Sequence, residues 1–338
     1  MTRLYYILFL LVLGKNISAQ LPVLDSSWEE KLVDNFDSIN TTIWCKDYCW
    51  GPCNNGLEYN STNNLSIHNN ALRIKCEKLT IPHYCDSTTS PPTKPKYYRS
   101  GAIRSKFNYK YGYWEISALQ PAAGSFGFWT AFWLYNENCP TYYDELDIME
   151  RFGVQSPFSN RYSSVYHSQG GSGSTCQQEI QGKEYPNTVP LDVMFRKYAI
   201  EWHPGKFVMY FEGEPVWEVR DQVHTPTNFL STILNFAIDS AVNANTVFPA
   251  YYDIDYIKIY QLKRDCDFNF SSCNFNPNTY DYKVKKSIII GGSGCTSNIS
   301  TSQNLALRAT DGIEFKEGTT ITASGVGWFF ADVIPCPQ

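Results

Sequence analysis

The chain has 338 residues, and at about 150 residues per domain this length predicts two domains with at least one large buried core. Apolar residues make up 43% and charged residues 18%, which excludes disorder caused by an excess of charge. The formal net charge is −5, with 28 basic and 33 acidic residues and no basic cluster, which excludes a nucleic-acid partner that needs phosphate neutralisation.

Residues 1–19 have the pattern of a secretion signal. Arg3 precedes an apolar run at residues 4–13, and the small residues Ser18 and Ala19 follow it. The run is shorter than the ~20 residues that a membrane-spanning helix needs, and no later segment qualifies. We therefore expect cleavage near Ala19, a secreted protein and no transmembrane segment.

The cysteines indicate an oxidising compartment. There are 11 of them, which is many for a reduced compartment, and because the number is odd, one thiol is free or pairs elsewhere. Cys45, Cys49 and Cys53 lie close together, but no His stands beside them at the spacing of metal ligands. They predict a disulfide-linked loop rather than a metal site.

From residue 65 onward, short segments alternate apolar and polar residues between Gly, Asn, Pro and Ser, without a long helical period. Such segments predict an all-β sandwich of two antiparallel sheets, in which a curved sheet would offer a groove on its concave face. The predicted strands are residues 65–75, 101–107, 111–119, 128–135, 198–202, 207–211 and 254–260.

An acidic segment at residues 143–151 contains Glu145, Asp147 and Glu150. In a regular strand Glu145 and Asp147 share a face and Glu150 points to the other face, but a one-residue bulge after Ile148 returns Glu150 to the first face. In a helix Glu145 would point away from the other two acids. We therefore predict an irregular strand with three carboxyl groups along one strip.

Two carboxyl groups that face one bond, one ionised and one protonated, are what glycoside hydrolysis requires, and a third acid between them can separate their roles. Glu145 and Glu150 are separated along the backbone by on the order of 13 to 16 Å, which lets their carboxyl groups lean to the roughly 5 to 5.5 Å of retaining chemistry. The alternative is a solvated acidic strand edge or helix face without catalytic function.

After Tyr260 the composition changes. Residues 263–280, polar and rich in Asn, predict a linker that Cys266 and Cys273 close by a disulfide. Residues 281–338 predict a small β-rich accessory domain braced by Cys295 and Cys336, because about sixty residues bury little apolar surface. Its predicted strands are residues 287–290, 304–309, 312–315, 319–323 and 328–334.

Ordered motifs between residues 21 and 262 resemble glycoside hydrolase family 16 in its bulged Glu-x-Asp-x-x-Glu form, which occurs in laminarinases, agarases, porphyranases and carrageenases. The resemblance implies a concanavalin-like jelly-roll sandwich over residues 20–262 with a substrate cleft across its concave sheet. Besides the acidic segment, the motifs are residues 50–51, 54–59, 100–106, 111–115, 127–134, 198–202 and 253–260.

The same resemblance implies the catalytic roles. Glu145 is the expected nucleophile, Glu150 the expected general acid and then base, and Asp147 the electrostatic helper between them. Double displacement with net retention follows: ionised Glu145 attacks the anomeric carbon, while Glu150 donates a proton to the departing oxygen.

Substrate-binding residues are also implied. Trp129 and Trp133 share one face of a strand, and Phe128 and Phe132 share the other. The resemblance places the Trp face in the cleft, although a core position stays open for either ring. The resemblance adds three substrate-binding residues: His167, Asn235 and Asn55. For His167 a purely structural role is the alternative.

The resemblance implies a secreted, endo-acting hydrolase of a β-linked polysaccharide, with β-1,3-glucan as first choice and a red-algal galactan as second. A lectin-like binding protein is an alternative from another class, because the same sandwich serves recognition without catalysis. Transglycosylation is a third, because a sugar hydroxyl can intercept a covalent glycosyl-enzyme.

No organic cofactor is required for this chemistry. The resemblance implies a structural Ca²⁺ on the outer sheet, whose ligands the spacing does not locate. We expect a monomer. Residues 305–309, 313–315 and 318–320 resemble the three-coathanger stack domain of Bacteroidetes, which implies an accessory, surface-associated module at the C-terminus.

Overall fold

A computed structural model describes the protein at residues 26–54, 56–86, 93–122, 126–138, 142–153, 161–169, 178–186, 190–221, 225–301, 305–323 and 329–337. The predicted signal segment 1–19 and the predicted site residue Asn55 lie outside these residues. No helix in the described part of the chain is long and apolar enough to cross a membrane.

The described residues form 23 β-strands and one 3-10 turn at Thr62–Asn64. The all-β prediction is therefore confirmed. In chain order the strands are β1 Trp28–Asp34, β2 Trp44–Cys45, β3 Glu58–Asn60, β4 Leu65–His68, β5 Ala71–Asp86, β6 Thr93–Ser100, β7 Ala102–Ser105, β8 Gly112–Leu119, β9 Phe128–Asn138, β10 Tyr142–Phe152, β11 Arg161–Gln169, β12 Gln178–Pro186, β13 Arg196–His203, β14 Lys206–Phe211, β15 Glu214–Arg220, β16 Ser231–Ile238, β17 Ala250–Leu262, β18 Arg264–Ser272, β19 Val284–Ile290, β20 Ser297–Thr301, β21 Leu305–Phe315, β22 Thr319–Ala323 and β23 Phe329–Val333.

Two large sheets pack face to face. The outer sheet has the order β15-β14-β13-β8-β17-β5-β6-β3, with β1 beside β17 and β4 beside β5. The inner sheet has the order β12-β11-β10-β9-β16-β7-β2. Apolar side chains of both sheets meet in one core, among them Ile74 and Trp114 from the outer sheet and Phe132 and Leu234 from the inner sheet. This burial is what holds the sheets together.

The predicted strand at residues 65–75 is two strands. Asn69 and Asn70 form the turn between β4 and β5, with φ angles of 51° and 58°. Asn tolerates this left-handed conformation, which a two-residue hairpin turn requires at both positions. The chain reverses there, and β4 and β5 pair antiparallel.

A hairpin of β5 and β6 braces the loop before β3. Cys85 of β5 bonds to Cys53, and the Lys96 amine donates hydrogen bonds to the carbonyl oxygens of Asn54, at 3.3 Å, and of Gly56. The loop is thereby fixed to the hairpin by one covalent and two polar contacts.

The cysteines confirm the disulfide-linked loop, because Cys45 bonds to Cys49 and Cys53 bonds to Cys85. The prediction that Cys266 and Cys273 close a linker is wrong. Cys266, in β18, bonds to Cys336, and Cys273, directly after β18, bonds to Cys295. Both disulfides therefore join the β18 region to later parts of the C-terminal segment. Among the described residues Cys76 is the free thiol, and it is buried.

The linker predicted at 263–280 contains β18, a strand of the C-terminal sheet that pairs parallel with β19. All β18 side chains are exposed or half-buried, and the short alternation of Cys266, Phe268 and Phe270 with polar residues was missed because the segment as a whole is polar. The C-terminal strands form two parallel sheets, β18-β19-β21-β23 and β20-β22. The predicted strands 304–309 and 312–315 are one strand, β21.

The C-terminal sheets dock against the outer sheet. Val284 and Ile334 from the C-terminal part lie in one buried apolar cluster with Trp28, Tyr113 and other residues of the outer sheet. The Arg308 guanidinium donates a hydrogen bond of 2.6 Å to the hydroxyl of Ser27, just before β1. The C-terminal part is therefore packed on the side of the sandwich opposite to the free face of the inner sheet.

Candidate active site

The inner sheet carries a cleft on the face that points away from the core. A cavity of about 150 Å³ lies there. The structure brings together in this cavity all three predicted acids, both predicted tryptophans and Asn235. The residues that line it are Tyr48, Trp50, Asn54, Gly56, Trp129, Ala131, Trp133, Tyr135, Tyr143, Glu145, Asp147, Glu150, Asn235 and Ala237.

A bulge in β10 places the three acids on one face. Against β9, Asp147 pairs with Trp133 and Met149 pairs with Phe132, so Ile148 is left without a partner in that ladder. Ile148 and Met149 both lie buried in the core, and Glu150 consequently returns to the cleft. The predicted bulge is confirmed.

Glu150 is held in a mostly buried position with one strong donor beside it. Burial raises the pKa of Glu150 to about 7; the indole N–H of Trp129, which donates at 2.8 Å, lowers this pKa, and the charge of Glu145 raises it. Glu150 therefore keeps a proton over a pH range in which an ordinary glutamate is ionised.

Asp147 lies between the two glutamates and is 3% exposed. Burial raises its pKa well above the usual range, and the charges of Glu145 and Glu150 raise it further. Its Oδ2 atom lies 3.0 Å from Nε2 of His167, which stands opposite Glu145 on β11. His167 thus borders the acidic strip and contacts the central acid.

The Tyr143 hydroxyl donates a hydrogen bond to Glu145, and sequence reasoning missed this residue. Burial and the charge of Glu145 raise the pKa of Tyr143, so the phenol keeps its proton and stays a donor. A signal was present, because Tyr143 stands two residues before Glu145 and the side chains of a strand alternate between its faces.

The tryptophans of β9 lie on the predicted face. Trp129 and Trp133 line the cavity, and Phe128 and Phe132 lie in the core. The Trp133 indole N–H donates to Oδ1 of Asn235 on the neighbouring strand β16, at 2.8 Å. Asn235 is therefore a cleft residue that orients an aromatic ring.

Further aromatic residues continue the cleft beyond Trp133, and sequence reasoning missed them. Trp50 stacks on Tyr48, with ring centroids 5.1 Å apart and planes 5° from parallel, and its ring meets the edge of Tyr135 at 5.5 Å. Trp50 is 43% exposed, so it offers a ring edge or face to a ligand. Tyr135 was open to prediction from the alternation with Trp133, but Trp50 lies in a loop.

The loop that carries Trp50 is fastened to β16 by a buried acid. Oε2 of Glu58 accepts a hydrogen bond of 2.7 Å from the backbone N–H of Ile238, and burial raises the pKa of Glu58 to about 7. A Cβ atom at Gly56 would overlap the Glu58 carboxyl group, so a larger residue there would have to displace this buried acid. Asn54 and Gly56 line the cleft on either side of Asn55.

Glu145, Asp147 and His167 are the three residues whose potential metal-ligand atoms lie within 4.8 Å of one another, as judged over the described residues. All three already take part in the hydrogen bonds of the cleft or border it. They lie on the inner sheet and do not locate the Ca²⁺ ion expected on the outer sheet, which stays a prediction.

Comparisons with known proteins agree with this cleft. Residues 55–258 match the family described as glycosyl hydrolases family 16. A curated relative, the clotting factor G alpha subunit of Tachypleus tridentatus, is 23% identical over 227 residues, which are 63% of this chain and 30% of that protein. The matched part of the chain therefore spans about 30% of the length of this relative.

Solved structures show the same sandwich. The catalytic domain of an endo-1,3-beta-glucanase (laminarinase) from Thermotoga petrophila is 25% identical, with a TM-score of 0.56 over 70% of this chain and 99% of that one. The endo-beta-1,3-glucanase of Pyrococcus furiosus is 25% identical, with a TM-score of 0.57 over 70% and 95%. The kappa-carrageenase of Pseudoalteromonas carrageenovora is 18% identical, with a TM-score of 0.58 over 69% and 94%, and shares the fold.

These likenesses confirm the jelly-roll prediction, and the family match covers more than half of the chain together with the strand that carries the acidic strip. With its cleft, its carboxyl groups and its fold in agreement, this chain belongs to glycosyl hydrolases family 16.

Proposed function

We propose that this protein is a secreted, endo-acting glycosidase that hydrolyses a β-linked polysaccharide with net retention. We propose β-1,3-glucan as the substrate of first choice. The observation that carries the proposal is the strip of three carboxyl groups in an aromatic-lined cleft. Two solved structures at 25% identity are described as endo-1,3-beta-glucanases, which supports the choice of glucan. An open cleft, as opposed to a closed pocket, suits attack within a long chain.

The first step forms a covalent intermediate. The Glu145 carboxylate attacks the anomeric carbon as the bond from that carbon to the bridging oxygen breaks, and Glu150 gives its proton to the departing oxygen. In the second step ionised Glu150 takes a proton from water, the water oxygen attacks the anomeric carbon, and Glu145 leaves as carboxylate. Two inversions at one carbon give net retention.

The electrostatics of the strip favour this sequence of proton transfers. The charge of Glu145 raises the pKa of Glu150 and so helps it to hold the proton that it donates. Once Glu145 is esterified it is neutral, so Glu150 ionises more easily and becomes the base that the second step needs. Asp147 supports the strip from between the glutamates, and His167 orients it through the contact of 3.0 Å.

The substrate assignment is tested by product release from laminarin, mixed-linkage glucan, agar, porphyran and carrageenan. We expect laminarin to be cut to oligosaccharides of several lengths early in the reaction, because the enzyme attacks within the chain. Absence of activity on both glucans would overturn β-1,3-glucan as the substrate. A red-algal galactan is the second candidate, favoured by the cationic side chain of Arg104 on the cleft face.

Two other outcomes concern the reaction class. A lectin-like protein would bind the polymer without releasing reducing ends. A transglycosylase would make longer oligosaccharides at high acceptor concentration, because a sugar hydroxyl replaces water in the second step. Mass spectrometry of the products distinguishes both from hydrolysis.

The indole of Trp129 is proposed to set the alkaline limit of activity. Trp129→Phe removes the hydrogen bond that lowers the pKa of Glu150, so the alkaline limb of the kcat/KM profile is expected to move up by about one pH unit. Trp133→Phe is the matched control, because its indole bonds to Asn235 and not to Glu150. A limb that stays in place in Trp129→Phe, or moves equally in both variants, contradicts this role.

Secretion and surface association are part of the proposal. The disulfides of the described residues are consistent with an extracellular enzyme. The C-terminal β-sheets, docked behind the cleft, are proposed to be the accessory module that the sequence resembles, and the protein is proposed to be a monomer that needs no cofactor.

A further inference from the structure

Arg104 lies on the cleft face of the inner sheet, well away from the acids. In adjacent strands Arg104 pairs with Ile233, Ile233 pairs with Trp133, and Trp133 pairs with Asp147. Arg104 is thus three strand spacings from Asp147, or about 14 Å at ~4.8 Å per strand. Its chain neighbour Ile103 points into the core. The guanidinium therefore lies on the cleft face of the sheet, beside the cavity-lining residues Trp50 and Tyr135.

Aromatic rings and neutral acceptors surround the guanidinium. Its carbon lies 4.7 Å from the ring centroid of Trp50 and 5.8 Å from that of Tyr135, both of which line the cavity. Its Nε atom donates to the Ser231 hydroxyl at 2.8 Å, and Nη1 donates to the carbonyl oxygen of Tyr48 at 3.3 Å. These contacts fix the plane of the side chain and use two of its five N–H groups.

No carboxylate of the described residues pairs with Arg104. By contrast, two half-buried arginines of the outer sheet form ion pairs with carboxylates. Arg73 lies 2.7 Å from Asp253, and Arg99 lies 2.6 Å from Glu77. Burial lowers the pKa of Arg104, which shows that its environment disfavours the charge. A half-buried guanidinium that has no carboxylate partner and faces a ligand cleft favours the binding of an anion.

We propose that Arg104, with Trp50 and Tyr135, forms a subsite that binds an acidic substituent of the polysaccharide, a sulfate ester or a carboxylate. The planar guanidinium matches such oxygens with paired hydrogen bonds, and the rings hold the sugar that bears them. This inference rests on the proposed function and extends its substrate class from neutral glucan to acid-substituted chains. A neutral sugar at this subsite would contact only the rings of Trp50 and Tyr135.

Binding to an inactive enzyme tests the subsite separately from turnover. In the Glu145→Gln background, titration calorimetry compares a laminari-oligosaccharide with its chemically sulfated form, and a kappa-carrageenan oligosaccharide with its desulfated form. Arg104→Met keeps the stem and removes the charge, and Arg104→Lys keeps the charge and removes the planar fork. Arg220→Met, on the edge strand β15 of the outer sheet, removes the same charge outside the cleft.

We expect Arg104→Met to weaken binding of at least one sulfated ligand by about tenfold or more and to leave its unsulfated partner within about twofold. Arg104→Lys should fall between, and Arg220→Met should match the parent. An equal loss for sulfated and neutral ligands would mean that Arg104 only fastens the Tyr48 loop, and no loss, or no binding of any sulfated ligand, would also overturn the subsite. If the wild type cleaves no polysaccharide, the proposed function fails regardless of these affinities.

Discussion

Glu145→Gln is expected to lower kcat on laminarin by at least about 10⁴-fold while leaving the fold intact, because the amide cannot act as the nucleophile. The substitution keeps the size of the side chain and an oxygen that can accept the Tyr143 hydrogen bond. Initial rates and reducing-end assays measure the loss, and the melting temperature checks the fold.

A small external nucleophile distinguishes this role from a merely electrostatic one. In Glu145→Gly the space left by the side chain admits azide, which should attack an activated aryl β-glycoside once and give the α-glycosyl azide. In Glu150→Ala azide should instead capture the covalent intermediate and give the β-glycosyl azide. Activity of Glu145→Gln within about tenfold of the wild type, or the β product from Glu145→Gly, would contradict the assignment of Glu145 as nucleophile.

Glu150→Gln is expected to lower kcat on polysaccharide by about 10² to 10⁴-fold, because no proton reaches the departing oxygen. An aryl glycoside whose leaving group needs no proton should lose far less in its first step. The same acid predicts the pH profile: with the pKa of Glu150 raised to about 7, the protonated form is present below that value and is lost as pH rises through it.

Wild-type kcat/KM should therefore fall on the alkaline side with a midpoint near the pKa of Glu150, about 7, and Glu150→Gln should lack this limb. Asp147→Asn is the matched control, because it removes the neighbouring carboxyl group and retains the acid. A limb that persists in Glu150→Gln would assign the proton to another group.

The acidic strip was open to prediction because it depends on local geometry. Alternation along one strand fixes which side chains share a face, so the spacing of Glu145, Asp147 and Glu150 required a bulge if all three were to act together. The same alternation separated Trp129 and Trp133 from Phe128 and Phe132. Only their assignment to cleft or core needed the resemblance.

Features that depend on distant contacts were not open to prediction. Nothing near Cys266 indicates its bond to Cys336, 70 residues later, because that pairing depends on where the segment after β23 runs in the folded chain. Arg104 could be assigned to one face of its strand but not to a subsite. Its environment is created by Trp50, which arrives on a loop from a different part of the chain.

The unpaired Ile148 has a consequence for how proteins of this kind diverge. The β9 partners on both sides of it, Trp133 and Phe132, are already neighbours, so that ladder is the one a β10 shorter by one residue would make. Loss of the Ile148 codon would remove one buried aliphatic side chain and, by the alternation of a regular strand, keep Glu145, Asp147 and Glu150 on one face. A lineage can therefore switch between the two lengths of this segment in a single mutational event, without an ancestor that lacked the acids.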